Sequence, residues 1–470
     1  MIRYLFLSAI FLYILSNFVS SPFIGTLLSI ASLLAVVSSI VFVKRIVLAF
    51  GVVFLGIGSV MLIGSGAGAA DFLYSFGPML NLLTLFALIP ILSLPIKLGN
   101  YAKDVTAVIH KKIHNSGQLY MVSSGISYFL SSFMNLAALP MTYYSIRPSA
   151  DSFEIKNKER FMSRSITHGF AMPTLWTPVT PIVGVVIEMT GVNYSSMLPI
   201  LVPFSILGLL LDWSMAHLVS RRSEQMPKGK KKQQETGMKK KTAEEISAAE
   251  EQPERSPFRR LFHILAAIII LNIVILIIEQ FFDLSFIFLI SLLVIPFSFT
   301  WTLLLGKGVD YVSGLKNHFQ THVLKMKDQF FLFLSAGFFI SAINVSGADQ
   351  TINHWISALI DVTGVQVFLV ILPMVPVALA FIGLHPAVAF VLIVEALNPE
   401  VLGISPLVMT IAMLGSAVPS FLMGPYNATI GVMSNIIDKN PFKISNWNFT
   451  FCSMYMVLLI LFLQAAQFTF

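Results

Sequence analysis

The sequence is poor in charge and almost without cysteine. Only 11% of its 470 residues are charged, 56% are hydrophobic, and the single cysteine is Cys452. A soluble domain carries about 25% charged residues, so a soluble fold would leave a large apolar surface in water. One cysteine excludes an intrachain disulfide and a cysteine-based metal cluster. The composition predicts an integral membrane protein, and the same scarcity of polar residues excludes disorder.

The sequence also lacks the short motifs of common enzymes and of ATP-driven pumps. It contains no HExxH or paired-cysteine signature, and the glycine-rich stretch 56–68 lacks the lysine of a phosphate-binding loop. The net charge of +7 does not indicate nucleic-acid binding, because the basic residues flank apolar segments. We therefore predict neither enzyme activity nor a nucleic-acid partner.

What is present is a series of apolar segments of about the 20 residues that a membrane-spanning helix needs. Plain spans are predicted near residues 4–19, 22–43, 46–63, 72–96, 197–219, 261–281, 284–305, 330–345 and 449–463. Irregular apolar regions cover 119–146, 165–189, 365–396 and 406–437. Residues 1–21 are predicted to hold a first transmembrane helix, and a cleaved signal peptide is the alternative.

The 30 basic residues test this layout, because cytoplasmic loops collect Lys and Arg. All of them fall on one side if regions 119–146 and 365–396 each enter and leave the membrane on the same side. We therefore predict two re-entrant hairpins in the cytoplasmic membrane. The N-terminus and the charged linker 221–260 would be cytoplasmic, the C-terminus would lie outside, and the lipid bilayer would surround the spans.

The two halves of the chain, 22–220 and 261–470, then share one order of parts. Each has three plain spans, an amphipathic connector, a hairpin, a proline-broken span and a closing span. An odd number of crossings per half makes such repeats inverted, an architecture that recurs among secondary transporters. The predicted fold class is therefore an all-α polytopic membrane protein with inverted repeats, each with a re-entrant hairpin and a broken helix.

The broken spans 165–189 and 406–437 carry similar motifs, MPTLWTPVTPIVG and VPSFLMGPYNATIG. Proline within a span removes a helix hydrogen bond, and in lipid the freed carbonyls need protein or water as partners. The residues that break the helices are Pro178, Pro181, Gly424 and Pro425. The polar residues predicted to bind an ion or solute there are Thr177, Thr180, Asn427 and Thr429. The alternative is a kinked helix whose polar side chains satisfy its own backbone.

The predicted hairpin tips read SSFMNLAALP and AFIGLHPAVAF. Half-helix N-termini at membrane depth carry partial positive charge and suit an oxyanion. The first tip offers Ser131, Ser132 and Asn135, although Asn135 is equally suited to a helix-packing hydrogen bond. The second tip offers His385, either as a proton carrier or as a neutral hydrogen-bonding histidine.

Other ionisable residues in the apolar regions are few. His168 and Glu188 lie near the two ends of the first broken span, and both are expected at an interface. Asp212 lies about two turns before Arg221 and is expected to face the cytoplasm. No span contains Lys or Arg, so helix ends and amides would have to hold an anion.

These motifs resemble the ion transporter superfamily, in particular its divalent anion:sodium symporters and arsenite/citrate permease-like members. SSFMN at 131–135 is similar to the Ser-Asn-Thr tip of that family, and GPYNAT at 424–429 to its second broken-helix turn. TPVTP at 177–181 lacks the usual asparagine, and GLHP at 383–386 replaces the second tip. The resemblance implies an elevator-type secondary transporter of small anions.

We accordingly predict a secondary active transporter of a small, anionic solute. No cofactor is expected apart from Na⁺ or H⁺ as the coupling ion, and a homodimer is left open. The alternatives are a cation/proton antiporter, an exporter of another solute, or a non-transporting membrane protein of envelope assembly.

Overall fold

The protein is described by a computed structural model that covers residues 2–99, 101, 115–153, 155–224, 257–399 and 401–469. The predicted linker 221–260 lies mostly outside these residues, as does most of the first connector, 99–116. All regular elements of the described ranges are helical, and 11 helices are long and apolar enough to cross a membrane. The predicted all-α, polytopic membrane fold is confirmed.

The first half contains eleven α-helices in the described ranges. They are α1 Ile2–Phe18, α2 Pro22–Ser39, α3 Arg45–Gly64, α4 Ala69–Tyr74, α5 Leu80–Leu88, α6 Leu94–Leu98, α7 Ser116–Met134, α8 Ala138–Asp151, α9 Lys158–Ala171, α10 Pro181–Thr190 and α11 Tyr194–Glu224. The span predicted at 72–96 is thus divided, because Pro90 lies in a 3₁₀ segment between α5 and α6.

The second half also contains eleven α-helices in the described ranges. They are α12 Pro257–Phe281, α13 Phe286–Leu304, α14 Gly308–Lys325, α15 Lys327–Ser346, α16 Ala348–Thr363, α17 Val365–Ile371, α18 Met374–Ile382, α19 Pro386–Ala396, α20 Pro406–Met423, α21 Ala428–Ile437 and α22 Pro441–Thr469. Helix α14 was not predicted, because its mixed composition resembles a charged loop.

Burial separates the helices that face lipid from those that form the protein interior. Of the most apolar stretch of Pro406–Ile437, 89% is buried, against 22% for Arg45–Gly64. On α3, the side chains of Val60 and Ile63 are about two-thirds exposed. A stable protein exposes such a surface only to an apolar partner, so α3 belongs to the lipid-facing periphery and α20 to the core.

Helix α15 defines the two ends of the bundle. Near its start, Asp328 accepts a hydrogen bond from the backbone N–H of Lys44 and pairs with the Lys44 ammonium at 3.8 Å. Near its finish, Asn344 donates to the Glu395 carboxylate at 2.8 Å. We call these the basic end and the acidic end.

Helices α7 and α8 form a first helical hairpin. Tyr120, at the start of α7, contacts Phe161, at the start of α9, with ring centroids 5.5 Å apart. Thr177, beyond α9, donates to the carbonyl of Ser132 near the finish of α7 at 2.6 Å. Because α7 and α9 begin at one level and run in parallel, α8 must return the chain to that level. The hairpin turns at Asn135, whose φ of 49° is tolerated best by asparagine and glycine.

Helices α17, α18 and α19 form a second hairpin. Two side chains of α22 hydrogen-bond to the beginning of this hairpin and to the segment that follows its last helix. Gln464 donates to the carbonyl of Gln366, and Gln467 to the carbonyl of Gly403. The turn is at Gly383, whose φ of 114° excludes most side chains.

The two hairpins open at opposite ends. Glu188, at the finish of α10, and Glu395, at the finish of α19, line one cavity at the acidic end. The segment from α9 to α10 therefore begins at the basic end, where the first hairpin opens, whereas the second hairpin opens at the acidic end. Helix α10 packs on α19, and α21 packs on α8, so each broken helix also contacts the hairpin of the other half.

Candidate functional site

Four helices begin near the middle of the bundle, at the hairpin turns and the helix breaks. They are α8 and α19, which leave the hairpin turns, and α10 and α21, which follow the breaks. Each has at least ten residues, so each N-terminus carries about half a positive charge; His385 and Asn427 cap the first turns of α19 and α21, and α8 continues a 3₁₀ turn over Asn135–Ala137. A site at the tips and breaks, as predicted from the sequence, would therefore be built mainly from backbone.

The first break is hydrogen-bonded to its own hairpin. Thr177 donates to the carbonyl of Ser132 at 2.6 Å, and Asn135 donates to the carbonyl of Val179 at 3.3 Å. Pro181 occupies the first turn of α10, where its missing N–H costs nothing. Thr180 precedes it as the N-cap residue and is buried. The structure thus brings Ser132, Asn135, Thr177 and Thr180 together.

The second break is stabilised by an asparagine. Pro425 has no N–H, so the carbonyl of Phe421 loses its helical donor. The Asn427 amide replaces it at 2.8 Å and also donates to the carbonyl of Ser420 at 3.1 Å. Its Oδ1 accepts from the N–H of Ile430 at 2.9 Å and caps α21. Asn427 satisfies both sides of the break at once.

Close backbone packing joins the second break to the second hairpin. A Cβ at Gly424 would lie 3.0 Å from the carbonyl oxygen of Ala380, and one at Gly383 would lie 3.1 Å from the Tyr426 ring. Larger residues would separate the tip from the break. The predicted helix-breaking Gly424 therefore also provides the contact between these two elements.

The remaining predicted site residues have less direct positions. Ser131 is buried and donates to the carbonyl of Tyr128 in its own helix at 3.1 Å. Thr429 is fully buried and its hydroxyl has no hydrogen-bond partner among the described residues. His385 accepts from the N–H of Ala387 at 3.2 Å, so it caps α19. Its ring lies edge-on to those of Phe86 and Phe333, in an aromatic pocket of the neighbouring helices.

A buried polar network lies between the second break and the basic end. His168 Nδ1 is 2.7 Å from Asp212 Oδ1, which also accepts from the Tyr120 hydroxyl at 2.8 Å. His168 Nε2 is 3.1 Å from Asn448 Oδ1, and the Asn448 amide donates to the carbonyl of Leu422 at 3.0 Å. The network therefore connects both halves of the protein.

The expectations that His168 lies at an interface and that Asp212 faces the cytoplasm are wrong. Their side chains are 0% and 1% exposed, because α7, α11 and α22 pack around them. A signal was available, since a carboxylate within an apolar span is costly unless it is paired. Its partner was hidden because His168 and Asn448 are 280 residues apart.

At the acidic end, a cavity of about 370 Å³ opens between the hairpin–break elements and the surrounding helices. Its polar lining includes Tyr13, Asn17, Asn81, Glu188 and Glu395, and no described residue of the lining is basic. Glu188 accepts hydrogen bonds from the Ser285 hydroxyl and from the N–H of Ile287 at 3.3 Å. We call this cavity the acidic vestibule.

No protein-family model matches the chain. No curated protein matches it in sequence either. Among solved structures, the chain is similar to the crystal structure of the YdaH transporter of Alcanivorax borkumensis, described as having an unusual topology. The TM-score is 0.58 at 12% sequence identity, over 90% of this chain and 98% of that one. The similarity therefore covers most of the chain and concerns the fold.

Proposed function

We propose that the protein is a secondary active transporter that moves a small anionic solute across the cytoplasmic membrane, coupled to Na⁺ or H⁺. The fold shared with the YdaH transporter supports transport in general. The proposal for an anion depends on one observation, the four helix N-termini that begin at the hairpin turns and breaks. Such termini bind anions without a cationic side chain.

The positive-inside rule gives the proposed orientation. The basic end, with Lys44, would face the cytoplasm, and the acidic end would face outward. The hairpins would then be re-entrant, one from each side. In an elevator mechanism the hairpins and broken helices would move together against the lipid-facing helices, since these elements pack on one another.

A ligand screen followed by uptake tests the proposal. The purified protein is heated with individual carboxylates, inorganic oxyanions and Na⁺, and a ligand is expected to raise the melting temperature. Anions that stabilise the protein are then offered to proteoliposomes under an imposed Na⁺ or H⁺ gradient. Gradient-driven accumulation of an anion is the expected result, and uptake that is unchanged in protein-free vesicles would contradict it.

A matched pair of variants links uptake to the second break. Asn427→Ala is expected to abolish uptake while the protein still reaches the membrane. Gly431→Ala, one turn further along α21, has no atom within 4 Å of the added Cβ and should transport normally. Full uptake by Asn427→Ala would remove this residue from the site.

The acidic vestibule favours a second candidate function, a cation/proton antiporter or an exporter of a cationic solute. Two carboxylates without a basic neighbour attract cations, whereas they repel an approaching anion. Solute-dependent proton flux in the same vesicles, without anion uptake, would support this candidate.

A further inference from the structure

Both ring nitrogens of His168 face hydrogen-bond acceptors. Nδ1 faces the carboxylate of Asp212, and Nε2 faces Oδ1 of Asn448. The orientation of the Asn448 amide follows from its other contact, because only its NH₂ can donate to the carbonyl of Leu422. A histidine that donates from both nitrogens is an imidazolium, so the geometry matches a proton-loaded site.

The surroundings of the imidazole suit a group that changes charge. The ring is stacked on Phe451 at 4.2 Å, and Oδ2 of Asp212 has no hydrogen-bond partner among the described residues. The titratable neighbours are Tyr120 on α7, Arg164 on α9, and Cys452 and Tyr455 on α22; Arg164 lies within electrostatic range of Tyr120 and Cys452. Helix α20, which also packs on α9, contains no titratable residue.

Loss of the proton would change the contact with the second broken helix. Neutral imidazole that donates from Nδ1 presents a lone pair at Nε2, which repels Asn448 Oδ1. The amide would have to rotate, and its oxygen would then face the carbonyl of Leu422. This carbonyl is two residues before Gly424 and lacks the usual helical donor because the helix ends there.

We infer that His168 is a proton-binding site, and that Asn448 transmits its protonation state to the break between α20 and α21. The inference rests on the proposed function, because it assigns the coupling ion and a residue that binds it. The proton is exchanged with water and no other reactant takes part. His168 is ten residues from the start of α9, so the site lies about 15 Å from the basic end.

The test measures the accessibility of the break between α20 and α21 directly, and it does not require the transported solute to be known. The single buried cysteine is removed by Cys452→Ala, and Tyr426→Cys places a reporter at the half-exposed position next to the break. Its labelling rate with a fluorescent maleimide is measured from about pH 5 to about pH 8, the range in which histidine titrates. Division by the rate of the same protein unfolded in detergent removes the pH dependence of the thiol.

The expected result is a single transition in the relative labelling rate. His168→Gln should abolish this transition, whereas His217→Gln, at an exposed position of α11, should retain it. A transition that survives in His168→Gln would overturn the inference, as would its absence from the parent protein.

Two further variants test whether the result with His168→Gln could come from a general loss of structure. Asp212→Asn removes the negative partner, so the midpoint of the transition should move to lower pH. Tyr120→Phe removes a donor to the carboxylate and should move the midpoint the opposite way. Unchanged midpoints in both variants would contradict the assignment.

The result of the labelling experiment does not depend on the result of the transport assay. Anion uptake without the labelling transition would leave the proposed function standing and overturn the proton site. The labelling transition without any transported solute would support the proton site and count against the proposed function.

Discussion

Each helix break follows a helical hairpin in its own half of the chain, yet the carbonyls at the two breaks are satisfied in different ways. At the first break the donors come from other elements: Asn135 of the hairpin binds the carbonyl of Val179, and Tyr194 binds that of Trp176 at 2.8 Å. At the second break, Asn427 binds the carbonyls of residues 420 and 421 within its own segment.

This difference has a mechanical consequence. The first break and the first hairpin are joined by directional hydrogen bonds, so they should move as one block. The second break keeps its shape through one residue and meets its hairpin by packing at Gly424. We therefore expect the second hairpin to separate from its break at a lower free-energy cost than the first.

The largest effect on stability is expected at Asn427. Asn427→Ala removes an N-cap and leaves the carbonyl of Phe421 without a donor, a loss on the order of 3 kcal/mol, whereas the carbonyl of Ser420 still accepts from the N–H of Gly424. Asn427→Ser keeps a capping oxygen but is too short to reach the carbonyls, so it should lose less. Thermal unfolding of the purified protein measures both. Equal melting temperatures for wild type and Asn427→Ala would show that the break does not depend on this residue.

A smaller loss of stability is expected at the first break, where several hydrogen bonds together stabilise the backbone. Thr177→Val keeps the side-chain shape but removes the hydroxyl that donates to Ser132, at a cost of about 1–3 kcal/mol. Thr300→Val, an exposed position whose hydroxyl bonds only within its own helix, is the matched control and should leave the melting temperature almost unchanged. A loss at Thr177 as large as that at Asn427 would contradict the comparison of the two breaks.

The prolines and asparagines explain how much of this site could be predicted. Pro178 and Pro425 remove N–H groups whatever the surroundings, so both breaks were predictable from the sequence. Asn427 was predicted as an ion- or solute-binding residue, with the alternative that such polar side chains satisfy the helix's own backbone, and its hydrogen bonds are those of that alternative.

The polar network could not be predicted in the same way. Asn448 and His168 belong to different halves, and Asn448 lies in a span whose pattern indicates an ordinary closing helix. Their contact depends on how α9, α20 and α22 pack. For His385 the sequence left two predictions, a proton carrier and a neutral hydrogen-bonding histidine, and it could not show that packing places the ring against Phe86 and Phe333.

A third helix interruption lies at Pro90, and the side chains near its carbonyls are histidines. Pro90 has no N–H for the carbonyl of Phe86, and His322 of α14 binds that carbonyl, while His318 binds the next one, of Ala87, at 2.7 Å. Burial, and then the neighbouring His318, lower the pKa of His322 to about 4. Burial and Lys97 also lower the pKa of His318.

The smallest effect we expect is a pH dependence of stability from this third interruption. His322 binds a proton near pH 6.5 when unfolded but only near pH 4 when folded, so the unfolded chain gains protons first on acidification. Stability is therefore full above about pH 6.5 and falls as the pH is lowered from about 6.5 to about 4. His322→Gln keeps a donor for the Phe86 carbonyl and should flatten this decline in melting temperature. His354→Gln, on the exposed surface of α16, should not change it, and an equally steep decline in His322→Gln would show that other groups control the acid sensitivity.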